Sequence, residues 1–156
     1  MFFLKELPSQ EMIRSYGHLI GPDGETAVAE ALTMMRDASL LVRSIERYLA
    51  AAKLSQLQFL ILMVIHREPA RDYLYHGEIA ARLDVSKPVL TRAIQTLLQS
   101  DLLQATQDGE DRRAKRLRLG PAGEAVLLAQ LPGYYALIRE FMAAREVKPG
   151  TRQPWT

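Results

Sequence analysis

Apolar residues at helical spacing dominate the chain. Between Glu25 and Ala52 there is no glycine or proline, and apolar residues recur in alternating steps of three and four. This pattern predicts one long helix with a heptad seam, which either packs inside its own domain or forms a subunit interface. The seam positions are Val28, Ala31, Met35, Ala38, Val42, Ile45, Leu49 and Ala52.

Helix signals lie on both sides of this segment. A proline and an acidic residue near its start favour a short N-terminal helix over about Ser9–Leu19, which the glycine and proline cluster at 21–24 ends. After the long helix, Ser55 and Gln58 have the spacing of a capping box. The apolar run that follows predicts a buried central helix ending at about His66.

A pair of helices follows a short segment of strand character, Tyr73–Tyr75. The first helix is predicted over Gly77–Leu83. After a two-residue joint, Ser86 is a favourable N-cap and Pro88 lies in the first turn of a second helix that runs to about Ser100. The short connection predicts a helix-turn-helix pair.

The last third of the chain is predicted to hold a β-hairpin and two helices. Strands over Leu102–Gln107 and Lys115–Leu119 flank a charged loop. A helix over about Ala122–Leu131 is expected to stop at Pro132, because proline lacks the backbone N–H and clashes with the preceding turn. A final helix is expected over Tyr134–Arg145.

Composition narrows the class of protein. The 156 residues, 48% of them hydrophobic, suffice for one compact domain with a sizeable core. The chain has no cysteine, which excludes disulfides, thiol nucleophiles and cysteine-ligated zinc. Its apolar runs are too short to span a bilayer, so a cytoplasmic protein with no membrane partner is expected. Catalytic constellations, metal-ligand spacings and phosphate-binding loops do not stand out, so we expect no enzymatic activity, metal or cofactor.

Charge is nearly balanced, with 20 Lys and Arg against 18 Asp and Glu, but it is unevenly placed. Residues 86–120 hold seven basic and four acidic side chains, whereas residues 1–85 hold nine basic and eleven acidic ones. The positive excess therefore falls on the second helix of the pair and on the hairpin, where a polyanion could bind. A solvated surface without a partner is the competing interpretation.

The second helix of the pair has a polar side suited to DNA. A helical wheel separates its apolar residues from Pro88, Arg92, Gln95, Thr96 and Gln99. No acidic residue occurs over 86–100, as expected for a surface that faces phosphates. Arginine and glutamine can each form two hydrogen bonds to a purine edge, and hydroxyl and lysine side chains near the helix start can reach phosphates. An ordinary polar helix face is the alternative. The predicted DNA contacts on this helix are Ser86, Lys87, Pro88, Thr91, Arg92 and Gln95.

The hairpin adds a cluster of five cations within residues 112–118. A wing of this kind can lay an arginine into the minor groove, where narrow stretches concentrate negative potential. Asp111 opposes DNA binding unless it orients Arg113, and an ordinary surface ion pair is the alternative. The predicted wing contacts are Asp111, Arg112, Arg113 and Lys115.

These motifs together resemble the MarR family of bacterial transcription regulators. The resemblance covers residues 55 to about 131 and rests on Gly77–Arg92, on Asp108–Ala114 with its Asp-Arg-Arg, and on Leu119–Gly123. It implies a winged helix-turn-helix in each subunit and a homodimer made by the terminal helices. It also implies a pseudo-palindromic operator and, for many members, release from DNA by a small aromatic acid or phenol.

Several positions depart from the pattern of that family, among them Gln104 and Ala105, which stand where a basic residue often begins the wing strand. Val89 stands where a hydroxyl residue is common, which removes one polar contact. Asp101 replaces the usual glycine after the recognition helix, and Gly120 replaces the usual capping threonine. We expect local backbone differences at these two positions and no change of fold.

The expected fold is mainly α with a small β-hairpin, in which a winged helix-turn-helix lies between terminal dimerisation helices. We assign N-terminal dimerisation helices to 1–54, the DNA-binding region to 55–120, and C-terminal dimerisation helices and a tail to 121–156. The expected function is sequence-specific, double-stranded DNA-binding regulation of transcription, with a repressor favoured. A winged-helix scaffold for protein–protein contact is the alternative.

The N-terminal helix offers the polar groups best suited to an effector. Arg14 and His18 lie four residues apart on one face of the predicted helix, with Tyr16 close by. Together they could clamp a carboxylate and a phenol in an apolar cleft. A solvated arginine beside a helix-end histidine is the competing interpretation.

Overall fold

A computed structural model of the chain describes residues 7–21, 24–107 and 115–146. The helices in these residues are α1 Gln10–Ser15, α2 Gly17–Ile20, α3 Gly24–Ala51, α4 Gln56–His66, α5 His76–Arg82, α6 Lys87–Gln99 and α7 Pro121–Glu146. The strands are β1 Tyr73–Tyr75, β2 Leu103–Gln107 and β3 Lys115–Leu119. They form one antiparallel sheet in the order β1-β3-β2, so the expected mainly helical fold with a hairpin is confirmed.

The chain divides into two compact units. One is Glu46–Tyr134, here called the winged-helix unit; the other combines Met1–Ile45 with Tyr135–Thr156 and is called the terminal unit. Among the described residues, every buried hydrophobic side chain except Ile13 and Ile45 belongs to the winged-helix unit. The boundaries fall inside α3 and α7, whereas the predicted division used 54 and 120. The dimerisation role assigned to the terminal segments stays a prediction.

Helix α4 is the centre of the winged-helix unit. The predicted capping box is present: the Gln58 backbone N–H donates to Ser55 Oγ (3.2 Å), and the Ser55 N–H donates to Gln58 Oε1 (2.8 Å). The helix is apolar nearly all round because it is enclosed by the rest of the unit. Its buried residues are Phe59, Ile61, Leu62, Val64 and Ile65.

The helix-turn-helix pair is confirmed as α5 and α6. Residues 83–86 join the two helices, and Leu90, Ile94 and Leu97 fix α6 to the core. Strand β1 pairs with β3 in the register Leu74 opposite Leu117, so the wing is the outer part of a three-stranded sheet. That third pairing was not predicted, because a three-residue strand carries no signal for its partner.

The predicted interruption at Pro132 is wrong, since α7 continues through it to Glu146. A proline inside a helix costs about 3 kcal/mol or more through the lost N–H and the ring clash. Contacts at the same level offset this cost: the Tyr48 hydroxyl donates to the Gln130 carbonyl (3.0 Å) and occupies the space that a Cβ at Gly133 would need. The Phe59 ring also lies 4.8 Å from that of Tyr134.

The single N-terminal helix predicted over Ser9–Leu19 is also wrong. Ser9 caps α1 by accepting from the Met12 N–H (3.1 Å), but α1 ends at Ser15 and α2 begins at Gly17. The Ser15 hydroxyl donates to the Met12 carbonyl (2.7 Å) and competes with the helix ladder, and the glycine next to the break lowers helix propensity.

No single helix in the described residues is both long and apolar enough to cross a membrane. Helices α3 and α4 reach that length and hydropathy only when they are counted together across the bend between them.

Candidate nucleic-acid interface

Helix α6 has one buried and one exposed side, as the helical wheel predicted. Its core contacts are Leu90, Ile94 and Leu97, with at most 5% of each residue exposed. Ala93 and Leu98 are partly buried beside them. All six residues predicted to contact DNA from this helix are exposed, together with Thr96 and Gln99. The exposed residues are Ser86, Lys87, Pro88, Val89, Thr91, Arg92, Gln95, Thr96 and Gln99.

The two threonines of α6 donate their hydroxyl protons to the helix itself. Thr91 Oγ1 donates to the Lys87 carbonyl (2.9 Å), and Thr96 Oγ1 donates to the Arg92 carbonyl (3.0 Å). Their hydroxyls can therefore accept, but not donate, while these bonds hold. The side-chain N–H groups that can donate hydrogen bonds to a partner belong to Lys87, Arg92, Gln95 and Gln99.

Ser86 occupies the predicted N-cap position with extended backbone, and its carbonyl accepts from the Leu90 N–H (3.0 Å). Its side chain makes no capping hydrogen bond, so the hydroxyl stays available to an external acceptor. Neither Lys87 nor Arg92 forms an ion pair with a residue in the described part of the chain. Both side chains are exposed on this surface.

His76 links the start of α5 to α6, which sequence reasoning missed. Its Nε2 lies 3.1 Å from Thr91 Oγ1. Because the Thr91 proton is already donated to a carbonyl, the histidine must be the donor in this pair, with the proton on Nε2. The two residues are 15 apart, and no local spacing could have indicated the contact.

Two acidic side chains near the pair of helices form ion pairs with arginines. Glu68 accepts from Arg82 at 2.5 Å, and Glu78 forms an ion pair with Arg71. The pKa of the Glu78 carboxyl is lowered, chiefly because it accepts a hydrogen bond from the Tyr75 backbone N–H (2.8 Å), and further by Arg71; burial opposes the shift. These carboxylates therefore weaken the positive field of the surface less than free ones would.

The basic residues in the described part of the wing differ in their surroundings. Lys115, opposite Gln107, and Arg118 are exposed. Arg116 lies over the ring of Tyr73, with its guanidinium carbon 4.8 Å from the centroid, and supports the sheet by a cation–π contact. The predicted contacts Asp111, Arg112 and Arg113 lie outside the described residues.

The two unusual positions after α6 face each other. Asp101 adopts the left-handed conformation that glycine favours, with φ of 56°. The expected backbone difference from the family stays a prediction. The Leu102 N–H then donates to the Leu97 carbonyl (2.9 Å) and ends the helix. The Asp101 carbonyl oxygen lies 2.6 Å from where a Cβ at position 120 would stand, which explains why Gly120 replaces a threonine.

The residues predicted to bind an effector are exposed on the terminal unit. Arg14 lies in α1 and His18 in α2, so they do not share one helix. Arg14 Nε lies 3.4 Å from Glu25 Oε2, and Tyr16 is 59% exposed. The spacing argument behind the clamp therefore fails, although binding by these residues stays a prediction.

Comparison with known proteins agrees with this geometry. Residues 52–114 match the sequence model of the MarR family, a range that includes α4, the helix-turn-helix and β2. The chain is 26% identical over 140 residues to the HTH-type transcriptional repressor YetL of Bacillus subtilis, covering 89% of this chain and 83% of that protein. Residues 52–114 are therefore similar to the MarR family, and the likeness to a repressor extends over most of the chain.

Solved structures of MarR-type proteins show the same fold. Sco3205 of Streptomyces coelicolor, a MarR family regulator determined in complex with DNA, has a TM-score of 0.70 at 21% identity, covering 80% of this chain and 77% of that one. BpsR of Bordetella bronchiseptica, whose DNA binding is regulated by 6-hydroxynicotinic acid, has a TM-score of 0.62 at 18% identity, covering 70% and 76%. At these identities the likeness establishes the fold of this chain alone.

Proposed function

We propose that this chain is a sequence-specific, double-stranded DNA-binding regulator of transcription, with repression as its mode of action. The polar side of α6 is the reading surface: Arg92 and Gln95 contact base edges, and Ser86, Lys87 and Thr91 contact the phosphate backbone. Thr91 accepts rather than donates while its internal bond holds, so its contact to a phosphate runs through a water.

The observation that carries this proposal is the exposed, carboxylate-free side of α6. An exposed helix face ordinarily mixes acidic and basic residues, whereas this one offers amide, hydroxyl and cationic groups alone beside two apolar residues. The apolar side is buried in the core of the winged-helix unit. The polar side takes no part in that core, and the match to regulators, one named as a repressor, favours DNA over a protein partner.

The chain acts as a homodimer in this proposal. Nine of the eleven exposed large hydrophobic residues that the structure describes lie in the terminal unit. Met35 and Val42 of the heptad seam are among them, with 55% and 39% exposed, whereas Ile45 and Leu49 of the same seam are buried. An exposed apolar stripe of this kind marks a subunit interface. Two-fold symmetry would then match a pseudo-palindromic operator.

A small aromatic acid is the proposed effector class. This rests on the family and on BpsR, whose DNA binding responds to 6-hydroxynicotinic acid. Arg14, Tyr16 and His18 are exposed and carry the groups that would bind a carboxylate and a ring hydroxyl.

Selection of bound fragments from random double-stranded DNA by the purified full chain tests the proposal. A palindromic consensus is the expected result, because two symmetric recognition helices enter successive major grooves on one side of the duplex. Binding that is weak and indifferent to sequence would contradict it and favour the protein–protein scaffold. Adding an aromatic acid to the selected complex then tests release.

A further inference from the structure

Val89 is an apolar residue on the polar side of α6. Nearly half of it, 49%, is exposed. The other exposed large hydrophobic residue that the structure describes in the winged-helix unit is Leu128, which belongs to α7. Val89 is thus an apolar side chain on the exposed part of this helix, where a bound partner could contact it.

The position of Val89 places it among the residues that reach base edges. It lies three residues before Arg92, so the two side chains are neighbours on adjacent turns of the exposed side. It also belongs to the first half of the helix, the part of a recognition helix that contacts bases. The nearby threonines donate their hydroxyl protons to helix carbonyls.

One group in the major groove suits such a side chain. A thymine presents its C5 methyl there, whereas the other groups that distinguish the four base pairs are hydrogen-bond donors and acceptors. Valine in a helix is held in one main rotamer, so little side-chain freedom is lost when it packs on a methyl group. We propose that Val89 is a specificity-determining residue that packs on a thymine methyl in each half-site, next to the base pair read by Arg92.

This inference rests on the proposed function, and its test separates the two. In the duplex selected by the full chain, each thymine is replaced in turn by deoxyuridine, which removes the methyl alone. We expect one thymine per half-site at which the replacement weakens binding about fourfold, the ratio expected for losing burial of one apolar carbon. That thymine should adjoin the base pair at which Arg92→Ala relaxes preference.

Variants assign the methyl effect to the side chain. With Val89→Ala, the ratio of affinities for thymine and uracil duplexes should fall to about one. Leu128→Ala, which shortens the comparably exposed apolar residue on α7, should leave the ratio unchanged. Circular dichroism shows that each variant is folded; alanine at position 89 also favours the helix.

The outcomes are distinct. Sequence-selective binding with no thymine sensitive to deoxyuridine, or a ratio that survives Val89→Ala, overturns the assignment of Val89 and leaves the proposed function standing. Failure of the selection to yield any preferred sequence overturns both.

Discussion

The His76 imidazole donates through Nε2 to the Thr91 hydroxyl, and so joins the first helix of the DNA-binding pair to the recognition helix. The bond fixes the start of α6 relative to α5 from outside the core. Both residues belong to the winged-helix unit, and neither is a member of its apolar interior. The contact thus supports the orientation of the reading surface and contributes little to burial.

Removing this bond should weaken operator binding without changing base preference. We expect His76→Ala to lower affinity about fivefold, the effect of one lost hydrogen bond, and Thr91→Val to lower it more, because it also removes the proposed phosphate contact. Because both variants remove the same bond, the double variant should bind no more weakly than Thr91→Val alone. Fluorescence anisotropy with the selected duplex measures all four proteins. Additive losses would show that the two residues act independently.

Arg92 and Arg113 should differ in how they affect binding. Arg92→Ala should cost about 1–3 kcal/mol on the selected operator and relax the preference at one base pair, since the guanidinium reads a base edge. Arg113→Ala should weaken binding evenly across sequences and reduce the slope of log K against log salt by about one. Gel shifts over a salt series distinguish the two patterns. Unchanged binding in both variants would refute the assigned surfaces.

Glu78 should make the stability of the chain depend on pH. Its pKa is lowered by the Tyr75 N–H and by Arg71, so its stabilising effect is present above the ordinary pKa of a glutamate, about 4.3. It is lost as the pH falls through the lowered value. Glu78→Gln should therefore cost about 1 kcal/mol at pH 7 and almost nothing once wild-type Glu78 is itself protonated.

Urea unfolding at a series of pH values checks this dependence. Glu140→Gln, at an exposed position on α7, is the matched control and should change the free energy of unfolding little at any pH. A Glu78→Gln deficit that stays constant down to pH 2 would contradict the role of the carboxylate charge.

Two glycine-to-alanine changes should have opposite effects on stability. A Cβ at Gly123 would overlap the Leu102 carbonyl oxygen, which belongs to the backbone and cannot move aside cheaply. Gly123→Ala should therefore destabilise by about 1–3 kcal/mol. At Gly77, in the first turn of α5, nothing lies within 4 Å of the added carbon, and Gly77→Ala should stabilise by about 0.5–1 kcal/mol. If both variants shifted the denaturant midpoint in the same direction, the close approach of Gly123 to the Leu102 carbonyl would be contradicted.

A charge on the exposed seam should separate the subunits. Met35→Lys places an ammonium group in the proposed interface twice, once from each copy, and should weaken dimerisation by a factor of about ten or more. Leu128→Lys, at a comparably exposed apolar residue in the winged-helix unit, should leave the dimer intact. Light scattering coupled to gel filtration measures the mass. A monomeric wild-type chain would contradict the proposed homodimer, whereas a dimeric Met35→Lys variant would place the interface elsewhere.

Local signals predicted the parts of the fold that local physics determines. The capping box of Ser55 and Gln58 correctly predicted the start of α4. The helical wheel of α6 correctly separated its buried leucines from Arg92. Prediction was wrong where distant contacts outweigh propensity. The hydroxyl of Tyr48 supports α7 at the level of Pro132, and nothing in the sequence around the proline indicates it.

The same distinction holds within the interface. The composition of α6 indicated the reading surface, but the hydrogen bond of His76 joins residues that are remote in sequence. The exposure of Val89 follows from its helical position near Arg92. Its departure from the family pattern indicates only that a polar contact is missing at this position. The left-handed Asp101 and the facing Gly120 could be connected only through their backbone geometry.

The separation of α6 into a core side and a reading side has an evolutionary consequence. Leu90, Ile94 and Leu97 hold the helix, whereas Val89, Arg92 and Gln95 take no part in that packing. Mutations that redirect the protein to a new operator can thus accumulate at nearly neutral thermodynamic cost. A lineage carrying this scaffold can change the genes that it controls while the scaffold itself is conserved.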